Sequence, residues 1–180
     1  GSIPSDAYIG TLCITGYATE TMDKIDEIKL DGGSYGTITW LNFVRVDLPL
    51  GILLAPGCAF QREDNTFVPY ADKLSYASPD NIIQNVKVVK REEHHDEDGD
   101  GKCDYCNEEL AASIDGTIYT NLQDAIEALY SYSDINAAIR LLNDAAGTYI
   151  IDKGQSRINL NGHKIESLLV TGVGKVKLVG

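Results

Sequence analysis

Thirteen residues, His94 to Cys106 (HHDEDGDGKCDYC), hold the side chains whose types and spacing best suit chemistry. Asp96, Asp98, Asp100 and Asp104 stand at positions 1, 3, 5 and 9 of a calcium-loop template, with Gly101 at position 6 and Lys102, whose carbonyl would be the ligand, at position 7. Alternate carboxylates converge on one hard cation when such a loop curls, and the glycine permits the tight turn. Without a cation the same charges repel one another. Position 12 departs from the template: Asn107 replaces the bidentate Glu, Glu108 and Glu109 lie just beyond, and no helix pattern precedes the loop. A weak or loosened calcium site is therefore expected. The stretch also carries a softer donor set, because Cys103-x-x-Cys106 with His94 or His95 makes half of a zinc site, although a fourth ligand is not evident. A local Cys103–Cys106 disulfide is a further option. Redox use of the thiols has less support, since no helix pattern follows to lower their pKa. The plain alternative is a solvated acidic linker.

Catalytic chemistry is harder to find. Hydrolysis of a polysaccharide needs two carboxylates held a few Å apart, and Asp31, Asp115, Asp144, Asp152 and Glu166 are scattered along the chain. His163 has the side chain of a general base, yet a histidine next to Asn161-Gly162 reads more naturally as a turn residue. No catalytic residue is assigned, and an enzyme is not the favoured expectation.

The wider composition frames these side chains. The net charge of -12 disfavours nucleic acid and anionic membrane surfaces. Lys90 to Glu109 holds three positive and nine negative residues, which gives -6 and half of that total. The longest apolar run, around Leu50 to Ala55, is too short to span a bilayer. Gly1-Ser2 reads as an expression remnant, so a signal peptide upstream is compatible with the sequence. Four unevenly spaced cysteines do not make a disulfide scaffold and leave the redox compartment open.

Short strands must position the rest. Apolar-x-apolar-x-Gly occurs from Leu12 (LCITG), Ile28 (IKLDG), Ile158 (INLNG), Leu168 (LLVTG) and Val176 (VKLVG). Apolar residues two apart share a strand face, and the glycine permits the turn that ends it. Strands so short are stable when stacked on copies of themselves, although hairpins of a sandwich or meander would use similar corners. The expected fold is mainly β, with short stacked strands of parallel β-helix type in two units, residues 3–90 and 111–180, joined by an acidic linker over 91–110. Residues 35–46 and 82–89 read as further strands. Phe60, Phe67 and Tyr70 are expected to pack over the Ile52-Leu53-Leu54 bend. Trp40 and the tyrosines suit packing more than a carbohydrate platform. Thr120 to Gln123 resembles a capping box, and Leu122, Ala125, Ile126 and Leu129 at helical spacing predict a short helix over about 121–130. Residues 138–142 and 148–151 read as strands, with a helix over 134–142 as the alternative. The last pattern breaks off at Gly180, which suggests a piece of a longer protein or a last strand completed by a neighbour.

HHDEDGDGKCDYC resembles the H-x-D-x-D-G-D-G-x-C-D-x-C linkers between repeat units of large bacterial cell-surface proteins, and its Asp spacing is also similar to the calcium loops of dockerins and thrombospondin type 3 repeats. GTIYTNLQDAI from Gly116, RLLND from Arg140 and INLNGHKI from Ile158 resemble the opening of the right-handed, pectate-lyase-like β-helix units of those surface proteins, where a short helix caps the first coil. LLAPGCAF from Leu53 and NVKVV from Asn85 resemble the closing segment of a preceding unit. The resemblance implies a secreted or cell-surface protein that serves as stalk or adhesive, with host or cell-wall glycans or proteins as partners. A polysaccharide-binding or polysaccharide-degrading domain is the competing implication.

Overall fold

A computed structural model of the 180-residue chain describes residues 4, 6–16, 27–42, 46–75 and 82–180. It is mainly β with one α-helix among the described residues. The chain divides into two compact units, residues 1–92 with 104–107, and residues 93–103 with 108–180. Among the described residues no helix is long and apolar enough to cross a membrane.

The first unit is built on four strands, β1 (Tyr8–Gly16), β2 (Ser34–Asn42), β4 (Cys58–Arg62) and β6 (Ile82–Lys90), in the order β1-β2-β6-β4. β1 and β2 run parallel, with Ile14 opposite Trp40, while β6 is antiparallel to both of its neighbours. The sheet is thus open and mixed. Two-residue strands β3 (Leu48–Pro49) and β5 (Lys73–Leu74) pair beside it, around a 3-10 turn at Leu50–Leu53. Of the Ile28 pattern, only Leu30 pairs, through a bridge to Leu54. Residues 43–45 of the expected run from Tyr35 to Val46 lie outside the described residues. Alternation sets the core: Val86 and Val88 of β6 are buried and Lys87 is exposed. Trp40 is 1% exposed and donates its indole N–H to the Val46 carbonyl at 2.8 Å, so it serves the core and cannot be a sugar platform. Tyr70 lies against Gly51, where any side chain would collide with its ring.

The second unit holds a five-stranded sheet in the order β13-β11-β9-β7-β8 and a parallel pair, β10 with β12. β7 (Ala112–Ile114) and β8 (Thr117–Tyr119) form a hairpin whose turn places Asp115 and Gly116 at positive φ. β9 (Ile139–Leu141), β11 (Gln155–Asn159) and β13 (Lys175–Val179) are parallel, and Ile139, Ile158 and Leu178 face one another across them. β10 (Ala145–Ile151) and β12 (Ile165–Val170) repeat the arrangement. Residues 134–138 form a turn, so the helical alternative over 134–142 gives way to strand β9. Helix α1 (Leu122–Leu129) buries Leu122, Ala125, Ile126 and Leu129 against β7 to β10. Its N-cap is Asn121, one residue past Thr120; the Asn121 side chain accepts from the Gln123 N–H at 2.8 Å.

Candidate metal centre

Residues 91–110 contain neither helix nor strand beyond one bridge, Lys102 to Glu109. Side chains and turns set their shape instead. Asp96 accepts hydrogen bonds from the N–H groups of Gly99 (2.8 Å) and Gly101 (3.3 Å), Asp98 from Asp100 (3.1 Å), and Asp100 from Lys102 (2.8 Å). Each carboxylate folds back on the backbone, as short acidic side chains do in turns. Gly99 and Gly101 both take positive φ. At Gly101 an added Cβ would also meet the Asn143 amide and the Leu142 carbonyl, so both space and conformation require glycine.

The ligand types separate into two groups. The donor atoms of His94, Cys103 and Cys106 lie within 4.8 Å of one another, and so do those of Asp96, Asp98 and Asp104. Both cysteines are buried, the His94 side chain is 7% exposed, and all four cysteines of the chain are thiols. Residues 104–106 form a tight turn that ends on Asn107 at positive φ, which brings the two thiols of the C-x-x-C together. Two sulfurs and an imidazole form a soft donor set that fits zinc, and the neighbouring Glu108 carboxylate, 3.9 Å from His94 Nε2, can orient that imidazole. Three carboxylates form a hard set that fits calcium. His95 and Asp100 stand outside both groups, and Lys102 enters the loop through the N–H that it gives to Asp100.

Further residues hold these turns and were not foreseen from the sequence. In the second unit, Asn143 donates to the carbonyls of Gly101 and Leu110. In the first unit, the Arg91 guanidinium lies 4.0 Å from the Phe67 ring centre and 5.4 Å from that of Tyr105, while Tyr70 N–H donates to the Asp104 carbonyl at 2.8 Å. Asn143 lies within the RLLND segment and Arg91 begins the acidic run, but nothing in their local spacing marks either as a support.

His163 is placed at a corner, its Nδ1 3.4 Å from Asp144 Oδ1, and the same oxygen accepts the Lys164 N–H at 3.0 Å. The corner itself is closed by the His163 N–H, which donates to the Leu160 carbonyl at 2.8 Å. The three histidines, with Ser113, Arg140 and Asn161, line a cleft of about 320 Å³ in the second unit. Glu166 accepts the Gly147 N–H. These contacts spend the corner's carboxylates on backbone. No family model, curated protein or solved structure matches the chain.

Proposed function

We propose that the chain is a structural or adhesive segment of an extracellular bacterial surface protein, in which a divalent metal stiffens the linker between two β-rich units. What carries this proposal is the convergence of His94, Cys103 and Cys106 with both thiols buried. Metal binding lowers thiol pKa and turns such a cluster into a cross-link that a short stretch without regular structure otherwise lacks. The Asp96, Asp98 and Asp104 group shares no residue with the thiol group. Zinc at the sulfurs and calcium at the carboxylates are therefore compatible occupants, and each removes repulsion or mobility from the same turn.

The parallel β-helix belongs to the same proposal. Ile139, Ile158 and Leu178 recur roughly every twenty residues in register, the spacing expected of stacked coils. Helix α1 packs into this unit's core through Leu122, Ala125, Ile126 and Leu129, as the capping helix of such a unit would.

The test is metal analysis of protein purified without chelator, followed by thermal unfolding with excess chelator and after calcium or zinc is restored. The expected result is bound zinc that disappears in C103S/C106S, and a melting temperature that falls on chelation. A metal-free protein whose melting point ignores both ions would end the proposal.

A further inference from the structure

The outer face of the five-stranded sheet is basic, in a chain with 27 acidic and 15 basic residues. On β11, Ser156 and Ile158 are buried, so Gln155 and Arg157 face outward. Register then decides what joins them: Arg157 pairs with Lys177, Gln155 with Lys175, and Asn159 with Arg140. Arg140, Arg157, Lys175 and Lys177 are all exposed on that face, and no acidic residue belongs to β9, β11 or β13. Parallel strands lie about 4.8 Å apart, so Arg157 and Lys177 are like charges side by side, an arrangement that costs stability. Among the described residues, neither of them nor Lys175 makes an ion pair that would offset it.

The face runs into a groove of about 570 Å³ lined by Tyr130, Tyr132, Lys153, Gln155, Arg157 and Lys177, with Asp134 as its acidic member. Lys153 Nζ lies 5.0 Å from the Tyr130 ring centre. The Tyr130 hydroxyl is shielded from solvent and has no hydrogen-bond partner among the described residues. A volume of this size lies within the range of small-ligand sites. Aromatic rings beside cations suit a sugar ring that carries an anionic group.

We propose that this face and groove bind a flexible anionic polysaccharide whose sulfate or carboxylate groups engage Arg157, Lys177 and Lys153. A sparsely charged glycan such as hyaluronate suits this face better than nucleic acid, whose denser charge meets more repulsion from a protein of net charge -12. The site gives the adhesive role proposed above a partner, but it uses none of the metal-loop residues.

The experiment is a binding titration of the whole 180-residue protein with dextran sulfate, hyaluronate, uncharged dextran and a single-stranded oligonucleotide. Dextran sulfate or hyaluronate is expected to bind and dextran is not, and the stronger of the two identifies sulfate or carboxylate as the preferred group. Affinity should fall by roughly tenfold or more in R157E/K177E and again when salt is raised, since the contacts are ionic. Circular dichroism shows whether the variant is folded; if it is not, R157Q alone serves the same purpose. Failure of both anionic glycans to bind, binding that survives the substitutions, or an oligonucleotide that binds more tightly than either glycan would overturn the proposal. Repeating the titration with chelator separates the two proposals, because glycan binding should persist without metal.

Discussion

The side-chain amide of Asn143 donates to the carbonyl of Gly101 at 2.7 Å, across more than forty residues of sequence, and so holds the acidic loop from outside. The same nitrogen reaches the Leu110 carbonyl at 3.1 Å, while Leu110 N–H donates to Gly101. Replacing Asn143 by Ala removes both side-chain bonds and should cost about 1–3 kcal/mol, read as a lower urea midpoint. G101A should cost at least as much, because the new methyl group meets Asn143 and the Leu142 carbonyl at a positive φ. A G101A midpoint equal to that of the unaltered protein would refute this account of the loop.

The carboxylate group predicts a separable calcium response. D96N/D98N should abolish any rise in melting temperature on adding calcium and leave zinc content unchanged, since His94, Cys103 and Cys106 are untouched. Loss of zinc in this variant would show that the two groups form one site.

Ile158 is fully buried between Ile139 and Leu178 in register, whereas Leu178 is 49% exposed. I158A should therefore destabilise the second unit by about 2–5 kcal/mol, and L178A by about 1 kcal/mol or less, in denaturant titrations. Equal costs would contradict the stacking.

Burial, with the negative charge of Asp31 adding to it, pushes the Tyr35 hydroxyl above its ordinary pKa. The folded state thus favours the neutral phenol, which donates to the Gly32 carbonyl at 3.1 Å. The resulting stability is fully present below the unfolded tyrosine value of about 10 and is lost as pH rises through the higher folded value. Urea midpoints taken at about pH 8 and about pH 11 should drop less in Y35F than in the unaltered protein. An equal drop would assign the alkaline loss to other groups.

The α1 cap offers a local check. N121A should cost about 1 kcal/mol, while T120A should cost little, because the side chain that meets Gln123 N–H is that of Asn121. The reverse order would place the cap at Thr120.

Much of the local structure was legible in the residues. Val86-Lys87-Val88 announces which side of β6 is buried, and Leu122, Ala125, Ile126 and Leu129 announce the face of α1, because alternation and helical spacing follow from backbone geometry over a few residues. The Ile28 pattern misled: it has a strand's alternation, yet only Leu30 finds a partner, in Leu54. The first unit's mixed sheet was hidden for the same reason, since nothing near Ile82 in sequence says that β6 will insert between β2 and β4 in the opposite direction.

The sequence by itself determined the donor types in the acidic stretch, the buried side of β6 and of α1, and the surplus of negative charge. Only the tertiary structure decided that His94 and not His95 joins the two cysteines, that Asn143 supports Gly101, and that Arg157 stands beside Lys177. The reason is the range of the forces involved. Pleat and turn preferences act between near neighbours, whereas pairing and ligand convergence are choices among distant segments, made by burial of the core as a whole.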